Sequence, residues 1–365
     1  MRKIYFIFLI LMFLGSYGVF AGGNRAQANV KPQTYELVLI TDFDNVDDNA
    51  FNHGSWEGLV RYAREKNISH KFYQPTERSE TACLAAIDLA VQEGAKVIVT
   101  PSYLFEAPVF IAQTRYPDVR FILVDGVPRS YDRSTYRTGN NTVSILYSED
   151  QAGFLAGYAV VMDGNRRLGF IGGEAVPTVV RFGYGFIQGI EYAATELGLA
   201  PGSITVNYNY AGSFMASQEI QRFAASWYND GVEVIFACGG AIGNSIITAA
   251  EQAGKKVIGV DVDQSSESPV VITSAMKGLQ SSVYSCISDY YAGRFPGGQT
   301  HVFSAINNGV GLPMATSRFR TFGKTDYDII YQRLVNGTIP RVETLDSEGS
   351  PISFPVKIAE ITEIR

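Results

Sequence analysis

An α/β fold of two lobes, each a parallel sheet covered by helices, is predicted by three features of the 365-residue chain. Short apolar, β-branched runs alternate with helical patterns from residue 36 to residue 260. That is the rhythm of βαβ units, hence of parallel sheets with helices on both faces. The rhythm halts once, at the polar, turn-rich segment 125–141, and resumes with similar content. A hydrophobic fraction of 46% over this length supports two cores rather than one.

Taken in order, residues 1–23 carry Arg2 and Lys3, an apolar run over 4–14 and then small residues, the layout of a secretory signal peptide. The run is too short to span a bilayer. A polar leader follows over 24–34. Strands are expected at 36–41, 70–73, 96–100 and 120–124, with helices from 52, over 79–92 and over 105–115. After the pause the spacing predicts strands at 142–146, 167–171, 204–210, 234–236 and 256–260, alternating with helices over 150–162, 179–197, 216–229 and 242–253. The last third is less regular: an apolar run at 270–273, a helix over 277–291, a short strand at 301–303 and a helical pattern at 327–334. The expected division is 35–147 with 270–300 in an N-terminal lobe, 148–269 with 301–350 in a C-terminal lobe, and a tail over 351–365.

Composition narrows the function. Thirty Lys and Arg against thirty-six Asp and Glu give a net charge of -6, with no basic cluster. Nucleic acid and anionic lipid therefore have no electrostatic support as partners. Cys83, Cys238 and Cys286 are scattered through apolar surroundings and read as buried thiols rather than a disulfide framework. His53, His70 and His301 make no zinc set, and no nucleophile elbow, P-loop or dinucleotide fingerprint is present. No metal, no cofactor and no catalysis are expected. An acid/base pair of Asp42 with Asp125 or Asp261, as in nucleoside or glycoside hydrolysis, is the enzymatic alternative.

The residues that follow each predicted strand should converge on one cleft. Thr41 to Glu57 leads from a buried strand into a helix. In it Asp42, Asn45, Asp48 and Asn52 offer polar groups and Phe51 a flat apolar face, a platform for an aromatic ring with polar edges. Pro101-Ser102-Tyr103, Asp125-Gly126, Gly172-Gly173 with Pro177 and Arg181, Gly212-Ser213-Phe214, Cys238-Gly239-Gly240 and Asp261-Val262-Asp263-Gln264 follow other strands. Glycines there also serve tight turns whatever the function.

Several motifs, in order over roughly residues 37–335, resemble one family: Thr41-Asp42 with Phe51-Asn52 and Trp56-Glu57-Gly58, Phe121-Ile-Leu-Val-Asp125, Gly153-Phe-Leu-Ala-Gly157-Tyr158, Gly169-Phe-Ile-Gly-Gly173, Gly185-Phe-x-x-Gly189, Gly212-Ser-Phe214, Gly259-Val-Asp-Val-Asp-Gln264 and Ser274-x-x-Lys277. The chain resembles the basic membrane protein (BMP) family of substrate-binding lipoproteins, which includes a spirochaete purine nucleoside receptor. The resemblance implies a type I periplasmic-binding-protein fold, two Rossmann-like lobes joined by three crossings, a small-molecule ligand and an ABC permease as partner. It also implies that Phe51 and Phe214 sandwich a base, that Asp42 and Asn52 meet its polar edge, and that Asp125, Asp261 and Lys277 meet ribose hydroxyls. Lys277 has a rival role as a lobe-bridging ion pair.

Two departures bear on the ligand. Phe43 and Asp44 replace small residues, and Thr100-Pro-Ser-Tyr-Leu-Phe105 replaces a glycine-rich loop. With Tyr103 and Arg181 they would suit a larger aromatic ligand, so a riboflavin receptor stands as the alternative within the family. A nucleoside sensor without transport is the alternative outside it. Gly23 occupies the place of the lipidated Cys in Val19-Phe20-Ala21-Gly22-Gly23. The expectation is an exported monomer, periplasmic or at the cell surface, without a lipid anchor and cut near Ala21 or near Ala26-Gln27-Ala28.

Overall fold

The computed structural model describes residues 34–42, 45–47, 49–339, 352–354 and 356–363. The predicted signal peptide, its cleavage site and most of the polar leader lie outside the described residues. The first sheet holds β1 (Leu37–Ile40), β2 (His70–Tyr73), β3 (Val97–Pro101), β4 (Arg120–Val124) and β5 (Thr142–Tyr147). It is wrapped by α1 (Phe51–Lys66), α2 (Glu80–Gln92) and α3 (Glu106–Arg115). Leu37 to Ile40 are buried on both faces, as an interior strand of a covered parallel sheet must be.

The chain then crosses into α4 (Glu149–Met162), β6 (Arg167–Gly172), α5 (Pro177–Glu196), β7 (Ile204–Tyr210), α6 (Gln218–Asn229), β8 (Val234–Cys238), α7 (Ile242–Ala253), β9 (Lys256–Asp261) and β10 (Val271–Lys277). It returns through α8 (Leu279–Tyr291) to β11 (Thr300–Phe303) and crosses again to β12 (Val310–Gly311), α9 (Lys324–Val335) and β13 (Ala359–Glu363). The sheet orders are β11-β5-β4-β3-β1-β2 and β12-β10-β9-β8-β6-β7-β13, parallel except for the β10–β12 pair. Each sheet therefore reverses direction once, between β1 and β3 and between β6 and β8. Such switch points open crevices at the strand carboxyl ends.

The lobe boundaries differ from those expected in three places. β10 pairs with β9, so 271–277 belongs to the second sheet and not to the N-terminal lobe. β11 pairs with β5, so residues 301–303, expected in the C-terminal lobe, return to the first sheet. β13 pairs with β7 and extends the second sheet, where a tail was expected. Sheet membership is decided by hydrogen-bond pairing, which hydrophobicity does not encode, and β13 reads Ala-Glu-Ile-Thr-Glu, a half-polar edge strand.

The three crossings run side by side. Ser148 N–H donates to Phe303 O at 2.8 Å and Gly278 N–H to Gly309 O at 2.8 Å, and a 2.5 Å hydrogen bond joins the hydroxyls of Tyr147 and Ser282. Next to them α4 is buried almost all round, because α5 lies on it at backbone distance. A Cβ on Gly153 would fall 2.1 Å from Phe182 O, one on Gly157 2.1 Å from Phe186 O, and one on Gly189 2.0 Å from Phe154 O. The Gly-x-x-x-Gly spacing in both helices is thus a packing device.

Candidate functional site

A cavity of about 270 Å³ lies where the carboxyl ends of the two sheets face each other. The first lobe contributes Asp42 after β1, Phe51 at the start of α1, Ser102, Tyr103 and Leu104 after β3, and Asp125 after β4. The second contributes Phe214 and Met215 after β7, Cys238 and Gly239 at β8, Asp261 at β9 and Lys277 at β10, with Val179 and Phe182 from α5. Aromatic rings from both lobes therefore line one space. The Phe214 ring lies against the turn after β6, where a Cβ on Gly173 would sit 2.5 Å from it, so glycine at 173 is what admits the ring.

Lys277 is the electrostatic centre. Its side chain is 1% exposed, and its Nζ donates to Asp125 Oδ2 at 2.6 Å and lies 3.2 Å from Asp261 Oδ1. Burial alone would lower its pKa, but the carboxylates of Asp125, Asp261 and Glu149 outweigh that and hold the ammonium above the ordinary lysine range. Burial raises the Asp261 carboxyl, and Lys277 offsets this in part. The ammonium also sits 4.5 Å from the centroid of Phe51, a cation–π contact. Asp125 Oδ1 is buried with no hydrogen-bond partner among the described residues.

The backbone is strained at the same place. Ser102, Asp125 and Asp261 end their strands with φ of 116°, 58° and 67°. Non-glycine residues occupy that region at a cost of about 1–3 kcal/mol each, and such strain gathers at functional sites. In each case the turn brings a polar residue to the cavity wall.

Of the residues predicted for the site, Asp42, Phe51, Tyr103, Asp125, Phe214, Gly239, Asp261 and Lys277 line this one cavity. Two differ. Asn52 is buried behind Asp42, donating from Nδ2 to its Oδ1 at 2.9 Å, so it orients that carboxylate instead of lining the space. Arg181 is not among the lining residues: α5 presents Val179 and Phe182 there, and Arg181 Nε donates to the buried Glu149 at 2.6 Å. Burial lifts the Glu149 carboxyl to about 6 despite Arg181. Phe43, Asp44 and Asp48 lie outside the described residues. Cys238 is a buried free thiol in the wall, and Cys83 and Cys286 are likewise free and buried.

Arg78 lines the cavity and was not anticipated. It sits in the loop after β2, a strand end at which the sequence suggested no site residue. Its guanidinium makes a two-point contact with Glu174 of the second lobe, Nη1 to Oε1 and Nη2 to Oε2, the latter at 2.8 Å. Nη2 also donates to Tyr103 Oη at 3.0 Å. Phe182, Leu104 and Met215 were missed because apolar residues in helices and loops carry no mark that separates cavity wall from core.

Residues 35–340 match the Bmp family, described as ABC transporter substrate-binding protein PnrA-like. The chain is 26% identical over 321 residues to the ABC transporter nucleoside-binding protein BmpA of Lactococcus lactis, covering 81% of this chain and 87% of that one. It is 28% identical over 353 residues to basic membrane protein D of Borreliella burgdorferi, covering 93% and 94%. Among solved structures, an ABC transporter solute-binding protein of Aeropyrum pernix superposes with a TM-score of 0.73 at 21% identity, covering 86% of this chain and 95% of that one. One from Conexibacter woesei superposes with 0.67 at 21%, covering 85% and 99%. At that identity the likeness establishes the fold, that of two-lobed, type I periplasmic solute-binding proteins.

Proposed function

The chain belongs to the Bmp family of PnrA-like ABC transporter substrate-binding proteins, and from that premise we propose that it is an exported receptor that closes around a purine nucleoside and hands it to an ABC permease. The observation that carries the reading is the shared cavity, lined by Phe51 from one lobe and Phe182 and Phe214 from the other together with three aspartates and a lysine. A relative that bears the name nucleoside-binding protein supports the ligand class. Stacking on aromatic side chains contributes roughly 1–3 kcal/mol per base at comparable sites. The orphaned Asp125 Oδ1 is an acceptor suited to a ribose hydroxyl, and hydrogen bonds to charged groups contribute about 1.5–3 kcal/mol. Contacts divided between lobes make the ligand favour the closed state, which is the signal a permease reads. This reading assigns binding, not turnover, to the aspartates.

Mass spectrometry of small molecules released from denatured, freshly purified protein tests the ligand class. A purine nucleoside is expected, whereas a yellow preparation releasing flavin would replace it. By calorimetry, Phe51→Ala and Asp261→Ala should each weaken nucleoside affinity at least about tenfold, some 1.4 kcal/mol. Unchanged affinity in both would remove these residues from the site. Incubation with inosine should yield no free base, and its release would move the protein to the hydrolases.

A further inference from the structure

Arg78 and Glu174 come from different lobes, the one following β2 and the other following β6, and both oxygens of the carboxylate meet the guanidinium. Two-point contacts of this kind are the strong form of an ion pair. The pair is partly sheltered, the side chains being 37% and 24% exposed. It holds two elements of the cavity wall: Tyr103, through the 3.0 Å hydrogen bond, and Phe214, whose ring centroid lies 5.9 Å from the guanidinium carbon. Among the described residues two ion pairs join the lobes at this cavity: Lys277–Asp125 is buried deep, whereas Arg78–Glu174 is partly open to solvent.

We propose that Arg78 is a positioning residue of the cleft, which by pairing with Glu174 across the lobes seats Tyr103 and Phe214 and sets the rate at which ligand leaves. The proposal rests on the reading of this cavity as the ligand site. An interaction made only when the lobes meet does not slow encounter with the open form, so its loss appears in dissociation. Its partial exposure makes it sensitive to salt, because a Debye length shortens from about 10 Å at 0.1 M to 3 Å at 1 M ionic strength.

Stopped-flow release of inosine separates the possibilities. Arg78→Met and Glu174→Gln are each expected to speed release about three- to tenfold, with association changed less than twofold. The double variant should be no faster than the worse single one, and the exchanged pair Arg78→Glu with Glu174→Arg should recover much of the loss. Raising salt from 0.05 to 0.5 M should speed release from the wild type but not from the double variant. Additive single effects, or unchanged release, would overturn the latch, and Arg61→Ala, which breaks a pair within one helix, controls for charge alone. If wild-type protein fails to bind inosine, the nucleoside reading fails separately. X-ray scattering on protein refolded free of ligand then tests the latch, which requires a larger radius of gyration for Arg78→Met than for wild type and is overturned by equal radii.

Discussion

Lys277 shows how a single residue serves both fold and site. Its ammonium neutralises carboxylates from two lobes, all three side chains being at most 9% exposed. Breaking a buried ion pair by removing one partner typically costs about 3–5 kcal/mol, because the remaining charge stays buried. Lys277→Met should therefore lose about that much in urea unfolding at neutral pH, and adding Asp125→Asn and Asp261→Asn should restore most of it. A loss under about 1 kcal/mol would mean that the triad does not hold in solution. The pH dependence has a definite sign. A lysine pKa raised in the folded state contributes its full stability below the unfolded value of 10.5 and loses it as pH rises through the folded value. Its contribution should stay flat from pH 6 to 9 and fall only in strong alkali. In Lys277→Met the stranded carboxylates take up protons more readily folded than unfolded, so the deficit should shrink as pH falls. Asp125 and Asp261 were legible in the sequence because each follows an apolar strand, whereas Lys277 entered through the family resemblance, its strand being expected to end at 273. That they pair with one another, and that two of the strand ends carry positive φ, is tertiary information. Arg78 follows a strand that was expected at 70–73 and so was legible by the same rule, whereas Arg181 stays off the cavity lining because one residue along a helix turns a side chain by about 100°.

The elements were read with small errors at their ends, since apolar periodicity and caps are local. Ser79 is the N-cap of α2, its hydroxyl accepting from Ala82 N–H, and Ser217 caps α6 in the same way. Pairing between elements is not local. Hence 271–277 and 301–303 were placed in the wrong lobes and β13 was missed. β13 is fixed by contacts distant in sequence: the Glu191 carboxylate accepts from Lys357, Ile358 and Ala359 N–H, and Phe354 stacks on Tyr184 at 4.3 Å. The α4–α5 contact supplies a prediction at this scale. Gly157→Ala would drive a methyl to 2.1 Å from a backbone carbonyl that cannot swing aside. The helices must separate, so a loss at the upper end of overpacking effects, about 3 kcal/mol or more, is expected by thermal or urea unfolding. Gly243 in α7 meets nothing within 4 Å, and Gly243→Ala should gain about 0.4–1 kcal/mol by restricting the unfolded chain. Equal effects at the two positions would deny the helix contact its backbone-to-backbone character.

At the scale of the molecule, five strands of each sheet share one order, β5-β4-β3-β1-β2 matching β10-β9-β8-β6-β7, and residues beyond their carboxyl ends line one cavity. The location was legible because parallel strands present their carboxyl ends together. The clasp was not, because Arg78–Glu174 and the Asn49–Glu267 hydrogen bond of 3.1 Å join segments about a hundred and two hundred residues apart. A ligand held by both lobes has a calorimetric signature. Binding only to the folded state stabilises it by about 2.7 kcal/mol at a hundred times the dissociation constant. If Phe51 and Phe214 both touch the ligand, that free energy is lost when either lobe unfolds. Inosine should then raise every unfolding transition of the protein, and draw two into one where the lobes melt separately without it. Phe214→Ala should abolish the shift of the second lobe's transition while changing the ligand-free trace less than a fully buried Phe→Ala would, since the ring is only partly buried. A nucleoside that raised one of two transitions and left the other in place would be bound by a single lobe, and closure could no longer be the event that a permease detects.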